Sequence, residues 1–212
     1  MTDAIINKKG SLPELLAPAG SRASLEAAIA GGADAVYLGG KRHNARAGAA
    51  NFGEDELRDA TALAHAHDVR VYFTLNTLAT DRELPGVLED ARAAYLAGVD
   101  ALIVADLGVA SALREMLPDL PLHASTQASG HGTGGAKALY AMGFSRMVCA
   151  RELSLEDIRT LTVCSPVEIE MFVHGALCVS HSGQCLFSSL VGGRSGNRGE
   201  CAQPCRLPYR TA

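Results

Sequence analysis

A parallel (β/α)8-like TIM barrel, incomplete in its eighth unit and followed by a cysteine-rich segment, is the fold this sequence predicts. Three observations predict it. Aliphatic runs of strand length alternate with helical periodicity at a spacing of about 30 residues, the rhythm of repeated βα units. One joint recurs three times, in AGGADAVYLGG (30–40), AGVDALIVAD (97–106) and MGFSRMVCA (142–150): a helix end, a glycine, two residues, then an apolar strand. No G-x-G-x-x-G follows the first strand, which disfavours an open dinucleotide-binding sheet.

In order, strands are expected at 14–19 (ELLAPA), 35–40 (AVYLGG), 70–76 (RVYFTLN), 101–106 (ALIVAD), 122–127 (LHASTQ), 146–150 (RMVCA) and 168–175 (EIEMFVHG). Gly32, Gly98 and Gly143 stand where a left-handed residue ends a helix before the next strand. Between strands, Leu84, Val87, Leu88, Ala91 and Tyr95 fall at helical spacing, as do Val109, Ala112, Leu113 and Met116. Seven strands with six helices fill 12–176, and 177–212 is left as the cysteine-rich segment. A complete barrel takes about 250 residues, so a fragment of a longer protein is expected, lacking a C-terminal part.

Composition narrows the function classes. The chain has 212 residues, 48% of them apolar, and a formal net charge of −4. It can bury one substantial core and lacks the overall basic footprint of a general nucleic-acid binder. The tail differs: Arg194, Arg198, Arg206 and Arg210 face Glu200 alone, a local charge of +3, which suits either a solvated loop or a phosphate-contacting patch. The start, MTDAIINKKG, has no apolar signal region, and no apolar run approaches membrane-spanning length. A cytoplasmic protein without a membrane partner is the expectation, and there clustered cysteines bind metal rather than form disulfides.

Strand alternation sorts side chains between the helices and the lumen. In strand three Tyr72, Thr74 and Asn76 share the polar face. In strand five it is His123, Ser125 and Gln127, and in strand seven Glu168, Glu170, Phe172 and His174. A barrel core avoids such residues unless they are partnered, so a substrate cavity is expected at the C-terminal mouth, where barrel enzymes place their chemistry. Glu170, His174 and His123 are the candidate catalytic groups; Asn76, Gln127, Arg194 and Arg198 are the candidate substrate contacts. Asp106 reads better as a helix cap. Glu170 and His174 lie about 13 Å apart along one strand and form no dyad. Without a nearby cation, Glu170 would titrate high. His65 and His67 read as surface residues, and Cys149 and Cys164 as buried small hydrophobes.

The remaining cysteines, Cys178, Cys185, Cys201 and Cys205, crowd into the last 35 residues. Gly183 lies within the first pair, and Gly192, Gly193, Gly196 and Gly199 precede the second, where they permit chain reversals. Pro204 stiffens the CAQPC turn. Four thiolates after a strand end suit an iron–sulfur cluster or zinc. The wide first gap favours iron–sulfur, because zinc knuckles prefer short C-x2–4-C pairs. Serine-elbow and H-E-x-x-H hydrolase signatures are absent.

The run Glu170, Phe172, Gly175, Ala176, Leu177, Cys178, Gly183, Cys185 and Ser188 resembles the signature of the collagenase-like peptidase family of unknown catalytic type, U32. Phe187 departs from it, standing where an aliphatic residue is usual. LLAPAG (15–20), AVYLGG (35–40), LNT (75–77), ASTQ (124–127), ARELSL (150–155) and RSGNRGECAQPCR (194–206) extend the likeness over nearly the whole chain. RSGNRG-x-CAQPCR is most similar to the longer members. The resemblance implies either a peptidase acting on collagen-like peptides or an oxygen-independent hydroxylation protein acting on tRNA or rRNA. In the latter, prephenate is the associated co-substrate, and Cys178, Cys185, Cys201 and Cys205 hold a [4Fe–4S] cluster.

Overall fold

In the computed structural model, residues 12–210 are described; the polar start read above lies outside them. Seven strands form one sheet: β1 (Leu16–Pro18), β2 (Ala35–Gly39), β3 (Arg70–Leu75), β4 (Ala101–Val104), β5 (Leu122–Ala124), β6 (Phe144–Val148) and β7 (Glu168–Glu170). Every neighbouring pair is parallel and the spatial order is the sequence order. Six helices make the crossovers: α1 (Arg22–Ala30), α2 (Glu54–His65), α3 (Leu84–Leu96), α4 (Leu107–Met116), α5 (Thr133–Ala141) and α6 (Leu155–Cys164). A seventh, α7 (Phe187–Gly192), belongs to the cysteine-rich segment.

The sheet is curled. Glu14, just ahead of β1, bonds to Arg146 of β6 at 2.7 Å, whereas five strand spacings in a flat sheet would span about 24 Å. Between sheet and helices lies the main core, including Val36, Leu38, Val71, Phe73, Leu75, Leu102, Val104, Leu122 and Met147. On the concave side Tyr72, Ala101 and Ile103 form a smaller apolar group. The two faces follow the expected alternation, because a period of two forces each strand to divide its side chains between helices and lumen.

Departures cluster at strand ends. β5 stops at Ala124, because Ser125 accepts from the Gln127 N–H and starts a 3-10 turn over Thr126–Ala128. β6 begins two residues early and contains a bulge: Leu122 pairs with Phe144, and His123 with Arg146. The bulge leaves Ser145 unpaired, so Phe144 and Met147, three apart, both face the helices. β7 ends at Glu170 rather than 175. Among the described residues β6 is its single neighbour, and beyond Glu170 the chain leaves the sheet, so Phe172 (50% exposed) and Val173 (81% exposed) turn outward. Cys149 is buried as expected, but Cys164 is exposed, because it closes α6 on its solvent side.

Gly32, Gly98 and Gly143 all have positive φ, +80°, +85° and +88°. At Gly98 a methyl group would meet nothing closer than 3.8 Å, so Gly98→Ala isolates the backbone cost of the left-handed conformation. It should lower stability by about 1 kcal/mol. Gly135→Ala, in the first turn of α5 with open space around the new methyl, should raise it by about 0.5 kcal/mol. Urea midpoints of the two variants check both signs.

Candidate functional site at the barrel mouth

Inside the lumen a charged network runs across the strands. Arg146 donates to Glu14 at 2.7 Å and to Glu168 at 2.7 and 3.1 Å, and its Nη1 stands 3.5 Å from Glu170 Oε2. Burial pulls its guanidinium down, but these carboxylates outweigh that and raise it. Glu14 also pairs with Arg70 and accepts from the Tyr72 hydroxyl at 3.0 Å. Sequence reasoning missed Arg146 and Glu14. The available signal was a charge inside the run RMVCA, with the alternation set by Met147.

Glu170 is half-buried and titrates high, driven by desolvation, although Arg146 opposes the shift. A cation is near, Arg146 at 3.5 Å, yet it makes no hydrogen bond to Oε2. His123 packs edge-on against Tyr72 with ring centroids 4.7 Å apart, and its Nδ1 has no partner among the described residues. Burial, then the charges of Arg146 and Arg70, push its pKa down to about 3. The ring is therefore neutral at physiological pH and suited to accepting or donating a single hydrogen bond.

That shift has a signed consequence. Between the unfolded value of about 6.5 and the folded value of about 3, the unfolded chain binds more protons at this site. Its contribution is therefore complete above about pH 6.5 and is lost as pH falls. At pH 5 the loss is about 2 kcal/mol. His123→Phe should flatten the acid limb of a stability-versus-pH curve over that window, measured by urea unfolding. Glu170 works in the opposite sense, because its raised pKa favours the folded state at low pH.

At the mouth, Asn76 ties two loops together: Oδ1 accepts from the Ala45 N–H at 2.9 Å and Nδ2 donates to Ser125 at 3.3 Å. Asp106 caps α4, accepting from Gly108 and Val109, and its other oxygen holds the Ala79 N–H. Gln127 lines a cavity of about 390 Å³, with Leu78, Ser129, Gly183, Gln184 and Asn197 among its other walls. His174 lies beyond β7 on exposed chain, away from the lumen groups Glu170 and His123. Arg194 is exposed. Arg198 is clamped to Glu83 at 2.7 Å and to the Leu78 carbonyl, and this bond holds the Glu83 carboxyl far below its usual range.

The cysteine-rich segment lies over this mouth. Ser129 donates to the Ser182 carbonyl at 2.6 Å and Gln184 to Ser129 at 2.9 Å. Gly199 packs against the backbone of Ala45 and Ala47. Within the segment, the cysteine-bearing stretches are tied in pairs. Arg206, next to Cys205, donates to the carbonyl of Leu177, next to Cys178, at 2.7 Å. The Ala202 N–H, next to Cys201, donates to Ser188, three residues beyond Cys185, at 3.0 Å, and Asn197 donates to the Gly183 carbonyl at 3.1 Å. Cys178 and Cys185 are half-buried, and Cys201 and Cys205 exposed. Among the described residues, no three of these sulfurs lie mutually within 4.8 Å.

Gly183 is a close joint between segment and barrel. It has φ +76°, and a methyl group there would sit 2.4 Å from the Gln127 carbonyl oxygen. Gly183→Ala should detach the segment while leaving the barrel folded. Limited proteolysis is expected to cut within 177–206, with the far-UV spectrum retained.

Residues 20–212 match Peptidase family U32. The chain belongs to this family. The 23S rRNA 5-hydroxycytidine C2501 synthase of Escherichia coli K12 is 45% identical over 92% of the chain. The tRNA hydroxylation protein P of the same organism is 38% identical over 93%. The Collagenase of Porphyromonas gingivalis is 37% identical over 92%. The chain spans 29%, 44% and 50% of these relatives' own lengths. A solved structure, that of the U32 peptidase Mk0906, superposes with a TM-score of 0.63 at 20% identity, covering 77% of this chain and 70% of the other, and so supports the shared barrel. No described helix is long and apolar enough to cross a membrane.

Proposed function

We propose that this U32 chain is the cluster-bearing barrel of an RNA-base hydroxylation protein, acting on rRNA or tRNA without molecular oxygen. The observation that carries the proposal is the 45% identity, across 92% of the chain, to a relative named as an rRNA hydroxycytidine synthase. Cys178, Cys185, Cys201 and Cys205 would hold a [4Fe–4S] cluster. The pairwise ties between their segments support this. When bound, such a cluster supplies one-electron transfer.

The chain's own residues supply binding. The 390 Å³ cavity lies in the size range of small-ligand sites, about 300–1,000 Å³, and an RNA base must leave its stack to be modified at all. Asn76 fixes the loops around that cavity, and Gln127 offers an amide to a base edge. Arg194 stands on the exposed rim for phosphate contact, while Arg198 holds the segment in place through Glu83. Glu170 and His123, each with a buried polar atom that has no partner among the described residues, are the lumen groups able to hold a proton. Prephenate is carried in the proposal as co-substrate.

Nucleoside mass spectrometry of rRNA and tRNA from a strain lacking the gene tests the reading. One hydroxylated nucleoside should disappear and return with the wild-type gene. The collagenase relative favours a second reading, peptide hydrolysis. That reading stands if the RNA is unchanged while gelatin cleavage follows the purified protein.

A further inference from the structure

Three side chains from separate parts of the sequence meet beside the cavity and form a ligand set that contains no cysteine. His131 comes from the loop between β5 and α5, Glu152 from the loop between β6 and α6, and His181 from the cysteine-rich segment. His131 Nε2 lies 3.8 Å from one Glu152 oxygen and His181 Nδ1 lies 3.5 Å from the other. One ligand atom from each residue falls within 4.8 Å of the other two, the one such triad among the described residues. Ligands about 2.1 Å from a tetrahedral ion stand about 3.4 Å apart. From the 4.8 Å bound, exposed side chains on loops need to close at most about 1.4 Å to reach that.

The surroundings prepare the donors. His131 Nδ1 is 2.7 Å from the Ser129 carbonyl oxygen. A carbonyl only accepts, so Nδ1 carries the proton and Nε2 turns its lone pair toward Glu152. The Glu152 carboxylate is itself oriented. It accepts from the Ser182 backbone N–H and, at 3.0 Å, from the Ser182 hydroxyl. That hydroxyl accepts from Arg151 Nε at 3.1 Å, which directs its own proton to the carboxylate. Oriented imidazole plus oriented carboxylate is the outer shell that metal-binding histidines and acids use.

We propose that His131, Glu152 and His181 bind a divalent transition-metal ion of the zinc or ferrous class and thereby staple the cysteine-rich segment to two loops of the barrel mouth. Two imidazoles and one carboxylate suit these ions and leave coordination positions open. The staple acts where Ser129, Gly183 and Gln184 line the cavity, so the ion fixes the wall that the segment contributes. The site is independent of what the cysteines hold.

Zinc titration of the anaerobically isolated full chain tests this, read by calorimetry and by X-ray absorption at the zinc edge. One equivalent should bind with nitrogen and oxygen neighbours and no sulfur, and should protect 177–206 from protease. His131→Ala and His181→Ala should each weaken binding by more than about tenfold and lose the protection, with unchanged iron content. Glu152→Gln keeps an acceptor for Ser182, so it should lose zinc while melting normally without it. Zinc ligated by sulfur, no saturable binding, or unchanged affinity in both histidine variants overturns the proposal.

Discussion

Replacing Arg146 by Met should lower the unfolding free energy at pH 7 by about 3–5 kcal/mol, the usual effect of stranding buried charges. Arg146 is 8% exposed and stands within 3.5 Å of Glu14, Glu168 and Glu170. Met matches its stem but leaves Glu170 without a cation, while Glu14 keeps Arg70 and the more exposed Glu168 reaches solvent. Desolvation already raises the Glu170 pKa with Arg146 in place, and without it the proton would be held more tightly still. Adding Glu170→Gln to Arg146→Met should recover part of the loss, because one stranded carboxylate is then gone. Urea unfolding of the single and double variants measures both steps. A single variant as stable as wild type would mean that water, not Arg146, neutralises the lumen.

The second large effect is on metal content. Serine at Cys178, Cys185, Cys201 or Cys205 should remove most of the iron from the protein, whichever position is changed. Each sits in a stretch hydrogen-bonded to the stretch of another: 177 to 206, 188 to 202, 183 to 197. Losing one ligand would leave three thiolates for the cluster in a segment where Cys201 and Cys205 are already exposed. Cys164→Ser is the internal control. Cys164 is exposed at the end of α6, takes no part in these ties, and its loss should leave iron unchanged. Iron analysis of the five variants after anaerobic isolation checks the contrast.

The barrel was legible because period-two alternation and the three helix–glycine–strand joints are local signals. Each of the seven expected strands overlaps a real one, and Tyr72, His123 and Glu170 face the lumen as their parity requires. Strand ends were not legible. Residues 171–175 look like a strand, yet they lie beyond β7, where no partner strand holds them. The β6 bulge at Ser145 moved the strand start to Phe144, a consequence of pairing with β5 that no single segment encodes. Cysteine spacing pointed to a candidate site, but not to the ties between its stretches, which depend on Arg206, Ser188, Asn197 and Gly183. The His131, Glu152 and His181 triad was invisible, because its members lie on three loops and share no motif. Arg198 read as a phosphate contact from tail charge alone; its bond to Glu83, 115 residues away, is a tertiary fact.

The central claim, that the four cysteines at the barrel mouth hold one iron–sulfur cluster, is tested most directly by iron, acid-labile sulfide and sulfur-ligated zinc in the anaerobically isolated chain. Iron and sulfide in equal amounts, about four of each per chain, and both lost in the quadruple serine variant, is the predicted result. Zinc bound by these sulfurs in place of iron would contradict it, as would iron that survives the loss of all four.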